Sequence, residues 1–464
     1  MFQKIMLKTA NVFFLVAIIL LVYNILNFFG TPESILTSTN QFRRRLVSVE
    51  VNRKSIHEQD AANNTIDYVV PVEEGDQTEE KSAIFHNVSK STQCIDKPLK
   101  KNIEQRGNYY VLYNYVMAER SVRCYESVTY STQGDLNFLD NLVPLVERWK
   151  GPVSVSVYAP GTDFLLALRT ILYLRECTSP LIKEYVSFHL FFEAKYTPKI
   201  NSTPLLGNNI MEQQKYITCK MTPPHQIVSR DQQFRTKNNL LYPINVARNT
   251  ARLAAQTHFI LSSDMELYPS PNFIPKFLEM IAKNEELLQS DEPQVFVLPH
   301  FEVEEGYDVP MDKTTLVEMV QNRSAIFFHE HLCRRCHMVP YSYRWLNTPE
   351  TDTLNVFGKT KRVGFQKSWE PFYVGTNDDP LFDERLTWEG QKNKMTQNYI
   401  LCLLDYTYLI LDNAFLVHRP GIKKAKVQMN EYAEIVNETS FFVKQTIKPE
   451  INSLYGTRPG CDLK

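Results

Sequence analysis

The chain has 464 residues, with 51 lysines and arginines against 52 aspartates and glutamates and 43% hydrophobic residues. A net charge of -1 gives no reason to expect nucleic acid as a partner. Size and composition suit one large or two medium globular domains.

Lys4 and Lys8 precede a nearly unbroken apolar run, Val12 to Phe29, interrupted by Asn24 and Asn27. A bilayer-crossing helix needs roughly 17–25 residues, which this run supplies. A cleavable signal peptide would have an apolar core of about 7–15 residues and a small-x-small cleavage site, which Asn24 to Gly30 lacks. The reading is a cytoplasmic tail (1–11), an uncleaved signal anchor (12–29) and a type II membrane protein. Arg43, Arg44 and Arg45 oppose the two lysines in the positive-inside count. The sequons at Asn63, Asn87, Asn201, Asn322 and Asn437 all follow the anchor and favour a luminal body.

Residues 30–107 are polar and lack a sustained apolar period, which reads as a luminal stem. The body, 108–464, opens with apolar segments at Tyr109–Met117 and Tyr125–Tyr130. Gly151-Pro152 then punctuates the entry to an alternating strand, Val153–Tyr158. A helix is predicted over Asp163–Arg175, a strand over Val186–Phe192, a helix over Asn245–Ala255 and a strand over His258–Ser262. A helix at Asn272–Asn284 and a strand at Gln294–Pro299 follow. Alternating strands and helices predict an α/β fold with a mostly parallel central sheet, whose ligands bind beyond the carboxyl ends of the strands.

At one such end stands Asp264-Met265-Glu266. Two acids separated by one residue lie on the same side of an extended segment and offer hard oxygen ligands to Mg²⁺ or Mn²⁺. No Gly-x-Gly-x-x-Gly or Walker-type loop is present to cradle phosphates through backbone amides, and only 15 glycines occur in all. That absence makes a metal bridge to a nucleotide diphosphate more necessary. The ordinary alternative for such a pair is a solvated acidic loop.

The eight cysteines, Cys94, Cys124, Cys177, Cys219, Cys333, Cys336, Cys402 and Cys461, are expected to include disulfides in an oxidising lumen, with connectivity open. Cys333 and Cys336, with His329, His331 and His337, could instead form a zinc knuckle. No second Cys-x-x-Cys completes four ligands at the usual spacing.

Tyr242-Pro243-Ile244-Asn245-Val246-Ala247-Arg248-Asn249, then Ala251-Arg252, then Asp264-Met265-Glu266-Leu267-Tyr268-Pro269-Ser270, is similar to glycosyltransferase family 49. Trp149–Ser154 resembles its first strand, Trp369–Val374 and Phe382–Arg385 its acceptor-side block, and Phe415-Leu416-Val417-His418 its late metal-ligand segment. The resemblance covers about Tyr125 to Lys424. It implies a GT-A fold, a UDP-sugar donor, a glycan or glycoprotein acceptor, Mn²⁺, inversion at the anomeric carbon and a Golgi membrane location. Glucuronic acid is the first choice of donor, with N-acetylglucosamine or xylose as alternatives. Where vertebrate members carry Asp-x-Asp, this chain has Glu266, which keeps a carboxylate on a longer arm.

On this reading Asp264, Glu266 and His418 hold the metal, while Asn245, Arg248 and Lys423 or Lys424 contact the donor. Asp383 and Glu384 are the leading candidates for the general base that inversion requires, with Glu370 a third. Trp369, Phe372, Tyr373 and Trp388 are candidates to stack on the acceptor, core packing being the common fate of such rings. A non-catalytic glycan-binding relative and a metal-dependent hydrolase are the readings from other classes. A homodimer is compatible with the anchor and stem but not demanded by them.

Overall fold

The structure is a computed structural model that describes residues 74–199, 209–290, 292–387, 392–422 and 433–463. The expected tail, anchor and stem up to residue 73 lie outside these residues, as do Trp388, Lys423 and Lys424. Among the described residues no helix is long and apolar enough to cross a membrane.

The strands, in chain order, are β1 (Asn102–Arg106), β2 (Tyr109–Val116), β3 (Val128–Gly134), β4 (Val153–Tyr158), β5 (Val186–Glu193), β6 (Phe259–Ser262) and β7 (Leu267–Pro269). After them come β8 (Gln294–Val297), β9 (His300–Val303), β10 (Ala325–Phe327), β11 (Asn355–Thr360), β12 (Tyr373–Gly375), β13 (Thr407–Asp412) and β14 (Leu416–His418). A ten-stranded sheet has the order β1-β2-β5-β4-β3-β6-β12-β8-β13-β11, and a smaller sheet has the order β10-β9-β14-β7.

Helices alternate with strands where the sequence places them: Asp163–Cys177 follows β4, Ile244–Leu253 precedes β6 and Phe273–Lys283 precedes β8. The fold is mixed α/β, but the expectation of a mostly parallel sheet is corrected. Pairing is parallel through β5-β4-β3-β6 and again between β8 and β13, and antiparallel elsewhere in the large sheet. One cause is local: β1 and β2 form a hairpin across Gly107-Asn108, with Gly107 at a φ of +56° that suits glycine. The other is long-range. β12 inserts antiparallel between β6 and β8.

β4 shows how its alternation is used. Val153, Val155 and Val157 are buried in the main core, yet Ser154 and Ser156 are buried too. A central parallel strand is covered on both faces, and the small polar face meets the helix Ile244–Leu253. There the Ser154 hydroxyl donates to the Ala251 carbonyl at 2.6 Å and lies 2.8 Å from His189 Nε2.

Within the stretch read as stem, the described residues begin at Glu74. The helix Glu74–Thr92 packs against the helix Phe273–Lys283, with Val88 fully buried and Ile84 and Phe85 against the core. Three large apolar residues on a mostly polar helix leave little periodicity to detect. A disulfide between Cys94 and Cys124 ties the segment to the body. Cys177–Cys219, Cys333–Cys336 and Cys402–Cys461 complete the set. The Cys333–Cys336 bond overturns the zinc-knuckle alternative, since oxidised sulfurs offer no thiolate.

An aromatic cluster fastens the helix Phe273–Lys283 to the sheet. Phe277 meets Phe259 and Phe296 edge-on at 5.0 and 5.2 Å between ring centroids and stacks with Phe273 at 5.4 Å. Phe277→Ala is expected to destabilise the fold by about 3–5 kcal/mol, through lost transfer energy and the cavity left behind. Denaturant unfolding followed by tryptophan fluorescence would measure this.

Candidate active site

β6 belongs to the large sheet and β7 to the small one, so the chain changes sheets between Ser262 and Leu267. It does so through a turn: the Leu267 N–H donates to the Asp264 carbonyl at 3.0 Å, and Met265 is buried beneath. The Tyr130 hydroxyl reaches in from β3 to the Asp264 and Leu267 carbonyls, at 3.0 and 2.6 Å, and fixes the turn from below. The two acids are therefore not side by side on an extended segment. Each carboxylate meets its own partners.

Glu266 meets His418. β14 runs antiparallel to β7 with His418 opposite Leu267, and the Arg419 N–H donates to the Glu266 carbonyl at 2.8 Å. His418 Nδ1 lies 2.8 Å from the Arg419 carbonyl, a contact in which the nitrogen must donate. In the neutral ring this leaves a lone pair on Nε2, which is buried without a hydrogen-bond partner and lies 3.4 Å from Glu266 Oε2. A nitrogen lone pair facing a carboxylate oxygen suits a cation between them.

Asp264 meets cations. Lys394 Nζ is 3.3 Å from Oδ2, Arg248 Nη2 is 3.5 Å from Oδ1, and Gln133 Nε2 donates to Oδ1 at 3.0 Å. Burial by itself would raise this carboxyl. The charges of Lys394 and Arg248, with the hydrogen bonds from Gln133 and Lys394, outweigh it and hold Asp264 well below the usual carboxylate range. Lys394 is pushed below its ordinary value by burial, with Asp264 opposing and Arg248 adding to the effect. Its ammonium also sits 3.9 Å over the Phe372 ring. Among the described residues no three His, Cys, Asp or Glu side chains converge as a ready-made metal cage. Glu266 and His418 form a two-ligand start, and the Asp264 side chain, about a third exposed, stands two residues away.

The helix Ile244–Leu253 builds this arrangement. Asn245, Arg248, Asn249 and Arg252 follow helical spacing, and all four are buried. Asn245 Nδ2 donates to the carbonyls of Asp383 and Asn393 at 2.8 and 2.9 Å. Asn249 bonds both the N–H and the carbonyl of Phe382, at 3.0 and 2.9 Å. Arg252 donates to the carbonyls of Thr376, Asp379 and Pro380 at 2.7, 2.5 and 2.8 Å. Arg248 bonds the side chains of Asn245 and Asn393 at 3.1 and 2.7 Å while reaching Asp264. A polar helix face thus stands in for sheet or helix partners along the described residues between Gly375 and Lys394. Gly375 opens that segment where a Cβ would lie 2.0 Å from Asp379 Oδ2.

Residues 127–456 match the profile of the family described as glycosyl-transferase for dystroglycan. The chain belongs to this glycosyltransferase family. A β-1,4-glucuronyltransferase 1 of Danio rerio is 29% identical over 334 residues, covering 71% of this chain and 74% of that protein. The protein of the same name from Homo sapiens is 27% identical over 333 residues, covering 72% and 77%. The xylosyl- and glucuronyltransferase LARGE1 of Homo sapiens is 21% identical over 352 residues, 75% of this chain and 38% of that protein.

In this glycosyltransferase the expected site residues fall into two groups. Arg248 pairs with Asp264 and His418 with Glu266, two residues further along the turn between the sheets, whereas Asn245 faces the backbone of the clamped segment. Asp383 is held by Arg385, with Nη2 to Oδ2 at 2.7 Å and Nε to Oδ1 at 3.0 Å. Glu384 pairs with Arg106 and accepts from Asn249 at 2.8 Å. Glu370, unlike these two, has no ion-pair partner within 4 Å among the described residues. Burial raises its carboxyl above the ordinary value, with Lys394 and Arg248 opposing. Trp369 and Phe372 are buried in the core, leaving Tyr373 half-buried beside them. Lys394 escapes sequence reasoning altogether. It is one lysine in Gln391-Lys392-Asn393-Lys394 and carries no motif.

Two substitutions separate clamp from charge. Arg252→Met, which strips three carbonyls of their donor, is expected to cost about 2–4 kcal/mol of stability in denaturant unfolding. Lys394→Met acts through Asp264. A carboxyl held low in the folded state contributes stability that is complete above about pH 4 and lost as the pH falls through its folded value. Without Lys394, stability is therefore expected to vary less between neutrality and pH 3, as read by unfolding at each pH.

Proposed function

We propose that this glycosyltransferase is a Golgi type II membrane enzyme that transfers glucuronic acid from UDP-glucuronate to a glycan acceptor, with inversion and dependence on Mn²⁺. The observation that carries the reading is the placement of Arg248 and Lys394 against Asp264, next to the Glu266–His418 pair. Two cations beside one carboxylate leave positive charge for a diphosphate, and the unpartnered His418 Nε2 fits a divalent ion shared with the acids. The relatives named as β-1,4-glucuronyltransferases support glucuronate. The name of the LARGE1 relative makes xylose the second choice of donor.

Asp264, Glu266 and His418 would hold the Mn²⁺, which when bound supplies electrostatic stabilisation of the departing diphosphate. Arg248 and Lys394 add fixed positive charge at the same place, positioned before the reaction starts and shielded from water. An acceptor hydroxyl attacks the anomeric carbon from the face opposite UDP, the bond to the diphosphate oxygen breaks, and the hydroxyl proton passes to a carboxylate. Glu370 suits that last role better than Asp383 or Glu384, whose oxygens are engaged by Arg385, Arg106 and Asn249. A carboxyl raised by burial is also a stronger base than an ordinary one.

The test is UDP release from a panel of UDP-sugars by the full-length protein, with a panel of glycoside acceptors, in Mn²⁺ and in EDTA. UDP-glucuronate with Mn²⁺ is expected to give the fastest release, and Asp264→Asn to lower kcat by roughly 10²–10³-fold. No release with any donor, or an unchanged rate in Asp264→Asn, would defeat the reading. Glu370→Gln is expected to abolish the acidic limb of the kcat/KM profile, which in the parent lies above the range of an ordinary glutamate because the carboxyl is raised.

A further inference from the structure

A groove of about 390 Å³ runs beside the helix Glu330–His337, on the far side of Trp369 from the core. It is lined by three arginines and three exposed or half-exposed rings. Arg335 stacks over Phe365 at 4.8 Å, Arg334 over Tyr343 at 5.9 Å, and Arg344 over Tyr341 at 5.5 Å. Phe365 is 79% exposed, Tyr343 56% and Tyr341 49%. Among the described residues no carboxylate lies within 4 Å of any of the three guanidinium groups, although the chain has as many acids as bases. The disulfide Cys333–Cys336 closes a small loop whose tip is Arg334-Arg335, so the pair is presented by a covalent clip.

Arg334 donates one guanidinium N–H to the Tyr343 hydroxyl, whereas Arg335 and Arg344, held over their rings, keep an N–H edge open, and such an edge pairs with a planar carboxylate through two parallel bonds. The exposed rings beside it offer flat apolar faces of the kind on which sugar rings stack. A purely apolar partner would leave three buried charges unpaired, at a cost of several kcal/mol. The groove is linked to Glu370, the proposed base: Trp369 before it lines the groove, and the Glu370 N–H donates to the Cys336 carbonyl, next to Arg335, at 2.7 Å. We propose that this groove binds a carboxylate-bearing oligosaccharide, the part of the acceptor glycan that lies several sugars from the point of transfer. The assignment of the oligosaccharide as acceptor rests on the transferase reading. Binding itself does not.

The experiment measures binding of a fluorescent hyaluronan octasaccharide, whose uronates alternate with neutral sugars, to the full-length protein without donor or Mn²⁺. The same octasaccharide with its carboxylates reduced to alcohols and a polyglutamate peptide of equal charge serve as comparisons. Hyaluronan is expected to bind, both comparisons to bind at least tenfold more weakly, and Arg335→Ser/Arg344→Ser and Phe365→Ala each to weaken hyaluronan by roughly tenfold. UDP release with a single-sugar acceptor is expected to stay at the parental rate in both variants. No hyaluronan binding at millimolar protein, equal binding of the reduced octasaccharide or of polyglutamate, or parental affinity in the variants would overturn the proposal. Turnover lost in the parent with binding retained would instead defeat the transferase reading alone.

Discussion

The site depends on a buried polar stripe. Asn245, Arg248, Asn249 and Arg252 present amide and guanidinium groups to a segment, Thr376 to Asn393, whose backbone has few other partners where it is described. Buried carbonyls left without donors cost about 1–3 kcal/mol each, so this face fixes the segment's path as firmly as a sheet would. The path matters because it ends at Lys394, and Lys394 with Arg248 sets the charge around Asp264. Fold and electrostatics share one set of side chains.

The opposite face of that helix explains why such a stripe is tolerated. Val246, Ala247 and Ala251 are buried toward β3 and β4, and Ser154 on β4 caps the Ala251 carbonyl. Small residues let the helix approach the sheet closely, which drives the long polar side chains outward into the clamped segment. Arginine suits this work because its planar fork addresses several carbonyls at once, as Arg252 does.

Much of the layout was legible in the sequence. Periodicity gave β4, β5, β6 and the helices between them within a few residues, because local alternation and helical spacing survive where elements pack on a single large core. The acid-x-acid at the end of β6 was legible for the same reason. What escaped depended on distant partners. β12 is three residues long and gains its place only from β6 and β8, so nothing local marks it as antiparallel. Among its described side chains, the helix Glu74–Thr92 shows Ile84, Phe85 and Val88 to the core. The motif at Tyr242–Asn249 pointed to donor contact, yet Asn245 turns to backbone, and Lys394 had no pattern at all. A polar residue's role is set by what the fold carries to it, which composition and spacing do not encode.

The crossing of the chain from one sheet to the other between Ser262 and Leu267 has a consequence for how activity is acquired. Gln133 on β3, Arg248, Asp264, Lys394 and His418 come from the whole length of the body, and the small sheet is completed only when β14 slots between β9 and β7. Assembly must wait for the last strand to be synthesised, and contacts so distant in sequence form slowly. A nascent or clipped chain lacking β14 would hold a nearly finished large sheet but neither the completed small sheet nor the Glu266–His418 contact.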